Sequence, residues 1–265
     1  MKQIKVDTSW RRMAAAVFEA PRDGKVSGNV DLDMRPVLKA MEEWNSQGHH
    51  VTANHVFMST IGHILTHFAP ELNAYSSWGR VHHRGHVTVA GAVLVDGKDL
   101  TTVKIRDADK KSVLELSKEM NDQVELRRKG RDEKGMSNRN SLARVPWPMR
   151  KWTFRSLRWL VYEAGFKFKG IGLSRNLFGS VLISNIGALG LEYGFPALMP
   201  ASNLSFVMCI GRVQEKAKVI DGKVMAIPVL PVAGTFDHRV VDGAHIGKLA
   251  HGMRHYFANP YELVH

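Results

Sequence analysis

The sequence is short of cysteine and of long apolar runs. Its one cysteine, Cys209, cannot build a disulfide framework, so a reducing, cytoplasmic setting is expected. No window of about eighteen apolar residues occurs, and residues 1–20 lack the continuous apolar stretch of a signal peptide, so we expect neither a membrane-spanning helix nor secretion. Cys209 lies in the apolar run Phe206–Ile210, which favours a buried side chain over a nucleophile.

Metal-ligand patterns are also missing. His63 and His67 have the i, i+4 spacing that can hold zinc, and His55 lies on the same helical side, but no cysteine or acidic ligand accompanies them. The same holds for the cluster His82, His83 and His86, which reads as part of a loop or sheet edge. We therefore expect no metal.

The positive charge of the chain is concentrated in one segment. The formal net charge is +12, and residues 127–175 carry fourteen Lys and Arg against three Asp and Glu. The rest of the chain is close to neutral. A basic protein often binds nucleic acid or anionic lipid, but here only one segment has that character.

Hydrophobic periodicity predicts a series of strands and helices. Strands are predicted over 25–32, 87–95, 100–105, 180–183, 204–211, 216–220 and 223–233, and helices over 1–20, 35–47, 52–69, 112–126 and 244–257. They alternate without a steady βαβ period or an internal repeat. This pattern favours a single α/β sandwich domain with a mixed sheet over a doubly wound fold.

Several ionisable side chains lie close together in the loop that follows the last predicted strand, residues 234–243. His238 stands at the strand end, where α/β proteins often place reactive groups, and its imidazole could serve as a general base. Asp242 lies just before a helix, where a carboxylate can cap free backbone N–H groups. Arg239 and Asp242 could hold the loop in one geometry. On these grounds alone a surface turn with an exposed histidine remains an alternative.

The loop sequence DHRVVDG resembles the signature of the catalytic domain of 2-oxo acid dehydrogenase E2 acyltransferases, relatives of chloramphenicol acetyltransferase. Further similar segments follow in family order over most of the chain: ANHVFMSTIGHIL, PELNAYSSW, VTVAGAVLVDGKDLTTVKIRDADKKSVLEL, GSVLISNIGALGLEYGFPALMPASNLSFVMCIGR and ANPYELVH. The resemblance implies a chloramphenicol acetyltransferase-like two-layer α/β sandwich with a mixed sheet, acting as a trimeric building block.

The resemblance also implies roles for individual residues. His238 would deprotonate the thiol of CoA or dihydrolipoamide, and Ser184 would donate a hydrogen bond to the tetrahedral oxyanion. Asp242 would organise the loop through an N-terminal arginine, for which Arg11 and Arg12 are candidates. Coenzyme A or acyl-CoA would be a substrate, and no metal would take part.

The family's quaternary structure gives a further expectation. In such a homotrimer the histidine and the serine of one site come from neighbouring chains, and trimers assemble into cubes or dodecahedra through a hydrophobic tail. Leu263 and Val264 could be that anchor, and a frayed end is the alternative.

The sequence departs from the family in two respects. It begins directly in the catalytic region, so any lipoyl group would come from another protein. A basic, Trp-rich insert occupies about 129–178, where the family has a short polar link. Projected as a helix, part of the insert has a basic face and an apolar remainder: Arg150, Lys151, Arg155 and Arg158 against Trp152, Phe154, Leu157, Trp159, Leu160 and Val161. Packing within the domain or trimer and contact with a membrane surface are the two main interpretations, and nucleic acid is disfavoured.

The first functional hypothesis is therefore acyl transfer between CoA and a thiol, such as dihydrolipoamide on another chain, or another small acceptor. A non-catalytic scaffold or cage protein that docks through the basic insert is the alternative. A chloramphenicol-type acetyltransferase would share the chemistry and change the acceptor.

Overall fold

The computed structural model describes residues 24–95, 99–128, 149–166, 178–198 and 202–264. Within them the strands are β1 (Lys25–Asp33), β2 (Ala74–Ser77), β3 (Arg80–His83), β4 (Thr88–Val95), β5 (Asp99–Arg106), β6 (Val181–Asn185), β7 (Phe206–Ile210), β8 (Gln214–Ile220) and β9 (Lys223–Asp237). The α-helices are α1 (Arg35–Ser46), α2 (Ala53–His67), α3 (Val113–Arg128), α4 (Met149–Tyr162) and α5 (Gly243–Ala258). The predicted helix over 1–20 and much of the insert lie outside the described residues.

A seven-stranded mixed sheet forms one layer of the fold. Its strand order is β1-β9-β7-β6-β4-β5, with β8 also paired to β9. The β4–β6 and β6–β7 pairs are parallel, and the other pairs of this sheet are antiparallel. β2 and β3 form a separate hairpin. The predicted mixed sheet is confirmed.

Helices cover one face of this sheet and enclose the main core. The central helix, α2, is buried on all sides from His55 to Leu65. It packs against α3, α5 and β4. Side chains of the helix-facing side of the sheet complete the core, among them Val181 and Ile183 of β6. The opposite face carries a smaller apolar cluster around Leu182, Val207 and Leu204. This is the predicted two-layer α/β sandwich.

The C-terminal segment packs on its own chain. Residues Pro260–Leu263 form a 3-10 helix, and the Leu263 side chain is fully buried in the main core. The Tyr261 hydroxyl donates a hydrogen bond to Glu43 at 2.6 Å, and its ring contacts Trp44 edge-on. The alternative of a frayed C-terminal end is wrong for Leu263, because its side chain is buried in the core of its own chain.

None of the helices in the described ranges is both long and apolar enough to cross a bilayer.

Candidate active site

His238 stands exposed on the loop that follows β9. Its backbone N–H donates to the Gly24 carbonyl at 2.7 Å, in continuation of the β1–β9 ladder. On either side of it, Asp237 accepts hydrogen bonds from Arg239: Nε lies 2.9 Å from Oδ1 and Nη2 lies 2.6 Å from Oδ2. Hydrogen bonding to this carboxylate raises the pKa of Arg239. The backbone at His238 is thus fixed, while its ring faces solvent.

Asp242 fixes the other end of this loop by capping α5. Its Oδ1 accepts from the backbone N–H of Ala244 at 2.9 Å and of His245 at 3.3 Å. In return, His245 Nδ1 accepts from the Asp242 backbone N–H at 3.1 Å. These donors, that of His245 first, hold the pKa of Asp242 below its ordinary value. Its predicted partners Arg11 and Arg12 lie outside the described residues.

Ser184 lies near the end of β6, in the middle of the sheet. Its neighbours in the ladder are Ala92 on β4 and Cys209 on β7. It is half-buried and lies on the sheet face opposite the helices, since Ile183 beside it points into the main core. The side chain is therefore held on a rigid strand and lies open to a partner approaching from that face.

The turn after Ser184 is built by the residues that follow it in sequence. Asn185 Oδ1 accepts a hydrogen bond from the Ala188 backbone N–H at 3.2 Å. Gly187 packs so closely on the next strand that a Cβ there would lie 2.5 Å from the Gly211 carbonyl oxygen. Any larger residue at 187 would push the turn away from the sheet.

Ser184 and His238 are not brought together within one chain. The ladder row through Ser184 passes Cys209 on β7 and reaches Ala233 on β9. His238 lies five residues further along that strand, roughly 17 Å at about 3.4 Å per residue, and β9 is two strands away from β6, about 10 Å across. His238 and Asp242 lie at one end of the sheet, whereas the ladder row through Ser184 crosses its middle.

The surface around Ser184 is unusually apolar. The segment after β6 exposes Leu189, Leu191 and Phe195, each more than half accessible. Exposed apolar side chains gathered in one loop are typical of a surface that contacts another protein chain. The sequence reading did not identify this surface, although the letters GALGLEYGFP contain it.

Cys209, beside Ser184, is buried as predicted. Its thiol donates to the Gly194 carbonyl, and burial raises its pKa. A protonated, buried thiol is a poor nucleophile.

The histidines of α2 serve as structural hydrogen-bonding groups. His63 Nε2 lies 3.3 Å from the Lys111 carbonyl, and His67 Nδ1 lies 3.1 Å from the Tyr256 hydroxyl. His86 contacts the Asp107 carboxylate at 3.3 Å. Over the part of the chain that the structure describes, no three His, Cys, Asp or Glu side chains are arranged to hold a metal ion.

Solved structures share this architecture. One, determined to study the role of a serine, a histidine and an asparagine in the catalytic mechanism of Azotobacter vinelandii dihydrolipoamide acetyltransferase, superposes with a TM-score of 0.63 at 15% identity, covering 91% of this chain and 84% of that one. Another is the cubic core of the pyruvate dehydrogenase multienzyme complex, with a TM-score of 0.62 at 16% identity and the same coverage. Because the sequence identities are this low, the structural similarity shows a shared fold and nothing further.

A sequence relative is the dihydrolipoyllysine-residue acetyltransferase component of the pyruvate dehydrogenase complex from Staphylococcus epidermidis. It is 28% identical over 186 residues, which are 70% of this chain and 33% of that protein. The chain thus spans about a third of the length of this relative.

The sequence model of the 2-oxoacid dehydrogenases acyltransferase (catalytic domain) matches residues 2–137 and 177–265. Both candidate elements, the Ser184 strand and the loop carrying His238 and Asp242, fall within the matched parts. The match covers most of the sequence and leaves out residue 1 and residues 138–176, so the chain belongs to the family of 2-oxoacid dehydrogenase acyltransferase catalytic domains.

Proposed function

We propose that the chain is a CoA-dependent acyltransferase in which His238 is the general base and Ser184 the oxyanion donor. The observation that carries this proposal is the exposed His238 on a loop fixed at both ends, in a chain of this family. The enzyme hypothesis is favoured over the scaffold alternative because the similar protein from Staphylococcus epidermidis is named as an acetyltransferase.

The chemistry follows from the two side chains. The His238 imidazole takes the proton from an acceptor thiol, and the resulting thiolate attacks the thioester carbonyl of acyl-CoA. A new C–S bond forms, and the Ser184 hydroxyl donates a hydrogen bond to the oxyanion of the tetrahedral intermediate. When the intermediate collapses, the bond to CoA breaks, and the CoA thiolate takes the proton back from His238. No metal or redox partner is required for this sequence.

The acceptor proposed first is dihydrolipoamide, supplied on another chain, because the Azotobacter vinelandii protein of the same fold is a dihydrolipoamide acetyltransferase. The structure of that protein was determined to study, among other residues, a histidine and an asparagine four positions apart, which is the spacing of His238 and Asp242. Asparagine and aspartate both accept backbone N–H bonds at a helix N-terminus, so either residue could cap α5 at the position of Asp242.

The distance between Ser184 and His238 supports a site that two subunits complete together. We infer a homotrimer in which the His238 loop of one subunit faces the Ser184 strand of its neighbour. The apolar residues Leu189, Leu191 and Phe195 beside Ser184 then become buried at the subunit contact. Further assembly of trimers, as in the cubic core named above, is a proposal of the same kind.

A complementation experiment tests both the residues and the shared site. His238→Ala and Ser184→Ala chains, each weakly active or inactive alone, are co-expressed with different tags, and the mixed oligomers are purified. Acetyl-CoA and CoA are then separated by chromatography after incubation with dihydrolipoamide. A site shared between neighbours is restored wherever an intact His238 meets an intact Ser184. Each purified mixed trimer has one such contact among its three, so it should have about a third of the wild-type activity.

Two outcomes would overturn the proposal. Mixed oligomers without restored activity would place both groups in one chain, and full activity of His238→Ala alone would remove the base assignment. His251→Ala, an exposed histidine on α5, is the matched control and should retain activity. Chloramphenicol replaces dihydrolipoamide in a parallel assay, and faster acetylation of it would assign the detoxifying reaction instead.

A further inference from the structure

Helix α4, in the segment that the family model leaves out, is anchored by its C-terminal end to the β2–β3 hairpin. Ser77 Oγ donates to the Tyr162 carbonyl at 3.0 Å, and the Trp78 backbone N–H donates to Glu163 Oε2 at 2.6 Å. The Trp78 indole N–H donates to the Glu163 carbonyl at 2.8 Å. Val161 and Tyr162 are buried in this contact. The helix is therefore held in a defined position on the domain.

Large apolar side chains project from this unit into solvent. Trp152 is 71% exposed, Trp159 51% and Trp78 65%, and Met149 at the start of α4 is also exposed. The rings of Trp78 and Trp159 meet edge-on with centroids 6.0 Å apart. We call the exposed Trp78, Trp152, Trp159 and Met149 the tryptophan surface. Its residues come from α4 and from the β2–β3 hairpin, so the surface is more than the apolar face of one amphipathic helix.

Trp78 has a left-handed backbone conformation, which is unfavourable for a residue with a bulky side chain. Its φ is +53°, and Gly79 follows with φ +68°, so two residues with positive φ link β2 to β3. Asparagine and glycine are the usual choices for such a turn, and a bulky aromatic residue there is uncommon. The fold thus tolerates local strain while presenting an indole ring at the tip of the hairpin.

The charge around the tryptophan surface is strongly positive. Helix α4 contains four basic residues and no acidic one, and Arg155 is exposed one turn from Trp152 and Trp159. The whole segment 127–175 has an excess of eleven positive charges. A basic helix with exposed tryptophans has the chemistry of an interfacial membrane helix, since indoles favour the headgroup region and Lys or Arg attract anionic lipids.

We propose that the tryptophan surface and the basic helix α4, with its exposed Arg155, dock the protein on a bilayer that contains anionic lipids. The indoles enter the headgroup region, and Arg155 with its basic neighbours contacts lipid phosphates. This inference does not depend on the acyl-transfer proposal, because it rests on α4 and the β2–β3 hairpin alone.

Co-sedimentation of the full chain with lipid vesicles tests this docking. The vesicles are phosphatidylcholine alone, or phosphatidylcholine with phosphatidylglycerol, at low and at high salt. Wild type should bind only the anionic vesicles and should be released by salt. Arg155→Glu reverses one charge and should weaken binding about thirtyfold. Trp152→Ser with Trp159→Ser should weaken it at least roughly tenfold.

Matched controls and two further measurements complete the test. Arg254→Glu and Leu38→Ser change an exposed charge and an exposed apolar residue elsewhere and should bind as wild type does. All variants should keep the oligomer mass in light scattering and acetyl transfer between soluble substrates. Absence of vesicle binding by wild type, combined with loss of oligomer mass in the Trp variants, would show a contact between copies and overturn the proposal. Binding to a single-stranded oligonucleotide but not to vesicles would overturn it equally.

Discussion

Ser184 lies in the middle of the sheet and His238 lies just beyond the end of β9, five ladder positions and two strands away. The strands between them are hydrogen-bonded along their length and buried, so no loop movement can bring the two side chains together. If both residues act on one thioester, they must come from different copies of the chain. Assembly is then a condition for catalysis as well as for stability.

Replacing Ser184 by alanine should lower kcat roughly 10²–10³-fold with little change in KM, because an oxyanion donor acts mainly in the transition state. Steady-state kinetics with acetyl-CoA and dihydrolipoamide measure both constants. Ser46→Ala, which removes an exposed hydroxyl at the end of α1, is the matched control. A change confined to KM would mark Ser184 as a ground-state contact.

Asp242 should act chiefly as the helix cap. Asp242→Ala removes the acceptor for two backbone N–H groups and should lower both the melting temperature and acyl transfer, because the loop carrying His238 loses its fixed end. Asp242→Asn keeps an acceptor and should retain most of both. Because the pKa of Asp242 is lowered in the folded state, its carboxylate stabilises the fold above its ordinary pKa, and this stabilisation is lost as pH falls through the folded value.

Thermal unfolding and turnover of the two Asp242 variants are measured together. An asparagine variant that is as stable as wild type yet inactive would contradict a purely capping role. The negative charge itself would then be needed to order the loop.

Much of the fold was predictable because its elements are long and periodic. The helix predicted over 112–126 is α3, Val113–Arg128, and the strands predicted over 87–95 and 100–105 have the expected bounds within one residue. The last strand was predicted to end at 233 but runs to Asp237. Gly234 suggests a turn in sequence, whereas in the sheet its missing side chain leaves room for the Phe236 ring, 3.0 Å from where a Cβ would lie.

The β2–β3 hairpin was not predicted as strands. Each strand has four residues, and Trp78-Gly79 is not a usual hairpin turn sequence. At the site, His238 and Asp242 are neighbours in sequence and could be found together. The separation of Ser184 from His238 depends on the order of β6, β7 and β9 in the sheet, which local patterns do not encode.

Leu263 offers a test of the C-terminal segment. Its side chain is fully buried in the core of its own chain, so Leu263→Ala should lower the free energy of unfolding by about 2–5 kcal/mol. Chemical denaturation at fixed protein concentration measures this, with Leu38→Ala, a leucine exposed on α1, as the control. A variant that unfolds like wild type but forms smaller oligomers would instead assign Leu263 to contacts between trimers.

The last prediction concerns acid stability and His55. This residue is the third of α2, and its Nδ1 accepts the backbone N–H of Thr52 at 3.2 Å, which requires that nitrogen to be unprotonated. Burial lowers the pKa of His55 to about 4. Between the ordinary pKa of about 6.5 and this value, the unfolded chain binds a proton that the folded chain does not, so stability falls as pH decreases through this window. Burial also lowers the pKa of His63, which contributes in the same direction.

The shift at His55 corresponds to about 3 kcal/mol of unfolding free energy lost between pH 6.5 and pH 4. His55→Gln provides a sharp comparison, because glutamine at this position can accept the Thr52 N–H in a capping box and does not titrate. Its stability should match that of wild type near neutral pH and decline less on acidification, as measured by denaturant unfolding across the pH range. His251→Gln, an exposed histidine on α5, should follow the wild-type curve. Equal slopes for His55→Gln and wild type would mean that His55 is protonated in the folded protein and that its bond to Thr52 does not persist in solution.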